Sequence, residues 1–210
     1  DVSRVVGLRQ PAALERMALA LIAGSGRQQQ WSELQRTIGA SKATTRKWYA
    51  ALHDCGLVWS MPRWRRDELG NDDSAAKVYA ADTGLVAACT PQSRLQTNPE
   101  LRQPLSETAV ANSLRALVHG DEWRLSYWRD KGGDDGEIDF VFETPTGTVA
   151  IEVTASSDGK DKVKRLTTLA KRVEARRSVV VCDVAMPYER DGVAIVPLWR
   201  FLLQPEDFLS

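Results

Sequence analysis

Residues 136–157 read "GEIDFVFETPTGTVAIEVTASS", with Asp139 and Glu152 set among apolar residues in two strand-like stretches. The polar segment Thr144-Pro145-Thr146-Gly147 predicts a hairpin with a connection of common length. Glu143 then lies opposite Thr148, and stepping back along both strands sets Asp139 opposite Glu152. Directly opposed side chains have Cβ atoms ~4.5–5.5 Å apart, and like charges placed so are destabilising. Two carboxylates held together suit a hard divalent cation, magnesium or manganese, ligated by oxygen. The competing reading has both acids facing solvent on an edge hairpin and pairing with Lys or Arg. Alternation puts Thr154 beside Glu152 and Ile138, Phe140 and Phe142 on one shared face.

A third acid stands on the preceding helix. Over residues 105–119, Glu107 shares a face with Val110, Ala111, Leu114, Leu117 and Val118, the face that must pack on the sheet. Its alternative role is local, since Ser106 can cap the helix and an acid in the first turn suits the helix dipole. The elements needed to position these residues follow in order. Residues 124–129 form a strand, then comes the hairpin, a helix over 160–176, and strands over 178–185 and 192–199. The order α-β-β-β-α-β-β predicts a mixed sheet flanked by helices, an α/β (α+β) fold.

The first half has a different texture. After Pro11, Leu14, Met17, Ala18, Leu21 and Ile22 recur at helical spacing, and Gly24-Ser25-Gly26 ends that helix. Ser32 can cap a short helix, Gly39 allows a tight turn, and Ser41 can cap a second helix ending near Gly56. This is a helix-turn-helix pattern. The pieces "LVWSMPRWRR" and "AKVYAAD" predict a two-stranded wing around the polar loop 67–74. We divide the chain into a winged helix-turn-helix domain over 1–89, a proline-containing linker over 90–104 and a second domain over 105–210.

On the second of these helices, Thr44, Trp48, Ala51, Leu52 and Cys55 are expected to face inward. Lys42, Thr45, Arg46 and Tyr49, with Lys47 beside them, are left to meet nucleic acid, cations for phosphates and guanine, hydroxyls for backbone or bases. Arg63, Arg65 and Arg66, with Trp64 between them, could grip an adjacent phosphate run from the wing. The alternative is a winged helix that connects proteins.

Composition sets outer bounds. The chain has 210 residues, 43% of them hydrophobic, and its 28 basic and 28 acidic residues balance. That suits a globular protein with a real core and gives no strong overall pull on nucleic acid. Bases exceed acids through Lys77, and acids exceed bases after it. Cys55, Cys89 and Cys182 stand apart among apolar neighbours, as reduced core thiols in a cytoplasmic protein do. His53 and His119 are too few to build a His/Cys metal cluster. No apolar run reaches membrane-spanning length. The chain opens at Asp1 without Met, as expected of a fragment or a processed chain.

The helix acid, then Asp, then a hairpin to E-x-T, resembles the order of the PD-(D/E)xK restriction-endonuclease-like fold, in which the last position is Lys. "LSETAVANSL", "LSYWRDKGGDDGEIDFVFE" and "TVAIEVTAS" resemble the C-terminal nuclease-like domain, of unknown function, of bacterial and archaeal AAA-type ATPases. "DVSRVVGLRQPAALERM", "WRR" and "KVYAADTGL" resemble the winged-helix part of the same proteins, so the resemblance covers nearly the whole chain. It implies that Glu107, Asp139 and Glu152 ligate magnesium or manganese, that position 154 is catalytic, and that an ATPase module of the same or a related polypeptide is a partner. No Walker A sequence occurs, so this chain is not expected to hydrolyse ATP. Thr154 carries no charge with which to steady an attacking hydroxide, and losing one such contact typically costs about 10²–10³ in rate.

Three readings follow. In the first, the two domains engage DNA or position a partner with weak or no cleavage. In the second, the chain is a magnesium- or manganese-dependent deoxyribonuclease in which Lys160, Lys162 or Lys164 of the next helix replaces the missing Lys. In the third, both domains bind protein and the acids are structural.

Overall fold

The computed structural model describes residues 11–66, 76–90, 101–130 and 136–209. The expected wing loop 67–74, most of the linker and the acids Asp134 and Asp135 lie outside them. The fold is α+β, in two compact units. Among the described residues, no helix is long and apolar enough to cross a membrane.

In the first unit, α1 (Pro11–Ala23) buries Ala13, Leu14, Met17, Leu21 and Ile22. Strand β1 (Arg27–Gln28) follows, then α2 (Trp31–Ile38) and α3 (Lys42–Asp54). Gly39 ends α2 in the left-handed conformation, φ 67°, where a side chain would be strained, and the N–H groups of Gly39 and Ala40 return to carbonyls of the last turn. Ser41 then caps α3, its hydroxyl accepting from the Thr44 N–H at 3.2 Å. Ser32 is no cap, because α2 begins one residue earlier at Trp31, with Gln30 in the capping position. Strands β2 (Val58–Met61) and β3 (Lys77–Ala80) pair antiparallel, and β1 joins the other side of β3. The short helix α4 (Thr83–Ala88) is capped by Asp82, which accepts from the Gly84 N–H.

The second unit begins with residues 62–66, which the sequence reading assigned to the wing. Helix α5 (Arg102–Leu117) starts inside the expected linker, with Pro104 tolerated in its first turn. Strands β4 (Arg124–Arg129), β5 (Glu137–Thr144), β6 (Gly147–Val153), β7 (Arg177–Cys182), β8 (Tyr188–Arg190) and β9 (Val193–Pro197) form one sheet, ordered β4-β5-β6-β7-β9-β8. The β6–β7 and β7–β9 pairs are parallel and the others antiparallel. Helix α6 (Lys160–Leu169) makes the β6-to-β7 crossover and ends in a 3-10 turn, Ala170–Val173. Helix α7 (Leu198–Leu203) closes the order, so Trp199 is helical and exposed where the sequence suggested strand.

One face of the sheet, with Val141, Ala150, Val180 and Ile195, packs on Val163, Leu166 and Leu169 of α6. Strand positions of the other parity, Val153 and Val181, line a cavity together with Leu105 and Ser106 of α5. Phe140 and Phe142 are fully buried, and burial of such a side chain contributes about 1.5–3 kcal/mol. Ile138 does not share their face. It packs with Val141 against α6, because a bulge sets Asp139 and Phe140 together against Tyr127 of β4.

Candidate functional site

The hairpin turn is tighter than the four residues suggested, since Thr144 pairs with Gly147 across it. The register is the expected one, with Glu143 opposite Thr148. The ladder closes at Phe140 and Ile151, immediately before Asp139 and Glu152. There the bulge turns the Asp139 carboxylate toward the end of β6, and its Oδ2 accepts from the Val153 N–H at 2.9 Å. Bulges re-aim side chains in this way, and here a carboxylate replaces the missing ladder acceptor.

Asp139 is 6% exposed and Glu152 is fully buried. Two cations from α6 meet them. Lys162 Nζ donates to Glu152 Oε2 and lies 3.6 Å from Asp139 Oδ2. Arg165 Nη2 reaches both Glu152 oxygens, at 3.1 and 3.0 Å. Lys162 and Arg165 stand three residues apart on one helical face, while Val163, Leu166 and Leu169 bury the neighbouring face. Burial, reinforced by the negative charge of Asp139, pushes the Glu152 carboxyl up to about 8 against the pull of Lys162 and Arg165. For Lys162, burial favours the neutral amine, but attraction to Asp139 and Glu152 wins and its pKa is raised.

Glu107 is half-buried on α5, the helix over the opposite sheet face from α6. Among the described residues, no three His, Cys, Asp or Glu side chains are grouped to hold a metal ion, so Glu107 does not complete a triad with Asp139 and Glu152. The oxygens of that pair are instead met by nitrogen cations, which a divalent ion would have to displace. Thr154 lies past the end of β6. Its N–H donates to the Val181 carbonyl and its hydroxyl accepts from the Ser156 N–H. Lys162 is one of the three α6 lysines that the sequence offers in place of the missing Lys, whereas nothing in the sequence pattern singles out Arg165.

Gln103 of α5 holds the strand end from the other side. Its Nε2 donates to the Val153 carbonyl at 2.9 Å and its Oε1 accepts from the Ala155 N–H at 2.8 Å. Next to it, Arg102, Leu105, Ser106, Thr154, Cys182 and Leu198 border a cavity of about 250 Å³. Burial pushes the Cys182 thiol up to about 11, favouring its neutral form.

In the first unit, α3 turns Trp48 and Leu52 inward as expected, but with Thr45 in place of Thr44. Thr45, Trp48 and Leu52 are buried, and Thr45 Oγ1 donates to the Ser41 carbonyl at 2.9 Å. Thr45 is therefore removed from the contact face, and Cys55, expected inside, is exposed at the helix end. The Ser41 cap sets this phase, placing residues 45, 48 and 52 along one side. Lys42, Arg46 and Lys47 are exposed, and among the described residues no ion pair engages them. With Gln29, Gln30 and Gln35, Lys42 and Arg46 line a groove of about 800 Å³.

The wing arginines also differ from expectation. Arg63 donates to the Arg129 carbonyl, and Arg66 pairs with Glu174. The backbone of this stretch is held as well. The Tyr127 N–H donates to the Pro62 carbonyl at 3.1 Å and the Trp64 N–H to the Tyr127 carbonyl at 2.6 Å. The outer edge of β4 captures residues 62–64 because its N–H and C=O groups at Tyr127 would otherwise be unpaired. Arg65 is exposed beside them.

A family profile described as a domain of unknown function (DUF8612) matches residues 1–96, and a second, a domain of unknown function (DUF4143), matches residues 103–201. Uncharacterized proteins of Mycobacterium tuberculosis and Mycobacterium bovis are each 28% identical to the chain over 156 residues, which is 72% of this chain and 34% of the relative. The chain thus matches only about a third of the length of these curated relatives. No solved structure matches it.

Proposed function

We propose that the chain is the C-terminal region of an AAA-type ATPase of the cytoplasm. In this reading α2 and α3 are the helix-turn-helix of a winged helix that engages duplex DNA. The second unit is a nuclease-like domain that positions DNA or a partner with little or no hydrolysis. The observation that carries the reading is the outward face of α3, where Lys42, Arg46 and Lys47 stand exposed beside a groove lined by glutamine amides. Cations there supply the phosphate term, and Arg and Gln offer paired donors and acceptors to guanine and adenine edges. Thr154, where the nuclease pattern has Lys, supports the absence of efficient cleavage. The greater length of the relatives leaves room there for a further module.

The test is fluorescence anisotropy with labelled duplex DNA over a series of salt concentrations. Binding should weaken steeply with salt, and Arg46→Ala/Lys47→Ala should lower affinity at every concentration. Affinity that ignores both salt and this substitution would overturn the reading.

A further inference from the structure

We propose that the acid pair of the second unit is closed by its own cations. Lys162 and Arg165 stand where the nuclease resemblance puts a divalent metal ion, and while both are present the site takes neither magnesium nor manganese. The inference does not depend on DNA binding by the first unit, so the two can fail separately.

Four observations carry it. Both oxygens of the fully buried Glu152 carboxylate are engaged, each by Arg165 and one also by Lys162. Asp139 Oδ2 is held by the Val153 N–H and faces the same ammonium group at 3.6 Å. No third His, Cys, Asp or Glu of the described residues joins the pair in a metal-holding group. Packing holds the helix that carries the cations, because Val163, Leu166 and Leu169 lock the adjoining face of α6 into the core. A divalent ion entering here would meet two positive charges at contact range and carboxylate oxygens already engaged by them.

The arrangement also gives α6 a task that a bound metal would otherwise perform. Lys162 draws together two carboxylates that repel each other, and in doing so ties the crossover helix to β5 and β6. Removing its charge leaves two acids facing one cation. That exposes the repulsion and opens the place to a divalent ion.

The experiment compares thermal unfolding of the wild-type chain, Lys162→Met and Lys162→Met/Asp139→Asn in EDTA, magnesium chloride and manganese chloride at matched ionic strength and at about pH 8.5, where Glu152 is ionised. We expect the wild-type melting temperature to be indifferent to metal. Lys162→Met should melt several degrees lower in EDTA and recover part of the loss in manganese through binding to the folded state. The recovery should vanish in the double variant. A manganese-dependent rise in the wild type that Glu152→Gln abolishes would overturn the proposal, as would a folded Lys162→Met chain that melts like wild type or ignores manganese. Should Lys162→Met not fold, isothermal titration of manganese into the wild-type chain decides. Absence of binding supports closure, and stoichiometric binding lost in Glu152→Gln refutes it.

Discussion

Asp139 Oδ2 accepts a hydrogen bond from the Val153 N–H across the hairpin, at 2.9 Å, just beyond the last regular pair of the β5–β6 ladder. The carboxylate therefore completes a backbone ladder while also facing Lys162. Replacing Asp139 by Ala strands a buried N–H, at a cost of roughly 1–3 kcal/mol, and leaves Lys162 with Glu152 alone. Asn keeps an acceptor and loses only the charge. Urea unfolding should rank wild type above Asp139→Asn and Asp139→Asn above Asp139→Ala. Equal stability of the two variants would show that the N–H bond contributes nothing.

Glu152 predicts a pH dependence with a definite sign. Its carboxyl is raised from 4.5 to about 8, so the folded chain binds this proton more tightly than the unfolded one. The stabilisation is complete below about pH 4.5 and is lost as pH rises to about 8. Melting temperature measured across this window should fall more in wild type than in Glu152→Gln. Parallel pH profiles for the two proteins would contradict the assignment.

Gln103 bridges the Val153 carbonyl and the Ala155 N–H, so Gln103→Ala removes two hydrogen bonds at the end of β6. We expect a loss of about 1–2 kcal/mol and faster amide hydrogen exchange at Ala155. Unchanged exchange at that amide would mean that solvent replaces the glutamine without cost.

Thr45 and Arg46 are neighbours with opposite fates. Thr45 is buried and bonded to the Ser41 carbonyl, whereas Arg46 is exposed on the groove. Thr45→Ala should lower the melting temperature without weakening DNA binding by the folded protein. Arg46→Ala should leave stability within about 0.5 kcal/mol and reduce the slope of log affinity against log salt by about 0.9, one phosphate contact. The reverse pattern would put the wrong face of α3 toward DNA.

These residues also mark how far the sequence could be read. The Gly39 turn, the Ser41 cap and the β5–β6 register were legible because each rests on local rules, a left-handed glycine, a capping hydroxyl and the alternation of a short hairpin. The inward face of α3 was misjudged by one position, which separates Thr44 from Thr45. Helical periodicity alone resolves a face no better than that when the flanking residues are small or polar.

The sequence by itself determined the α+β class and the run of elements from α5 to β7, though not β8 or α7, and brought Asp139 and Glu152 to the same end of neighbouring strands, since pairing and alternation act between residues close along the chain. Only the tertiary structure decided what meets them. The bulge at Tyr127 and the crossover that lowers Lys162 and Arg165 onto Glu152 depend on how strand and helix faces pack, and the capture of residues 62–64 by the edge of β4 joins segments far apart in sequence. Such contacts are set by which faces pack and which backbone groups lack partners, and no local pattern encodes them.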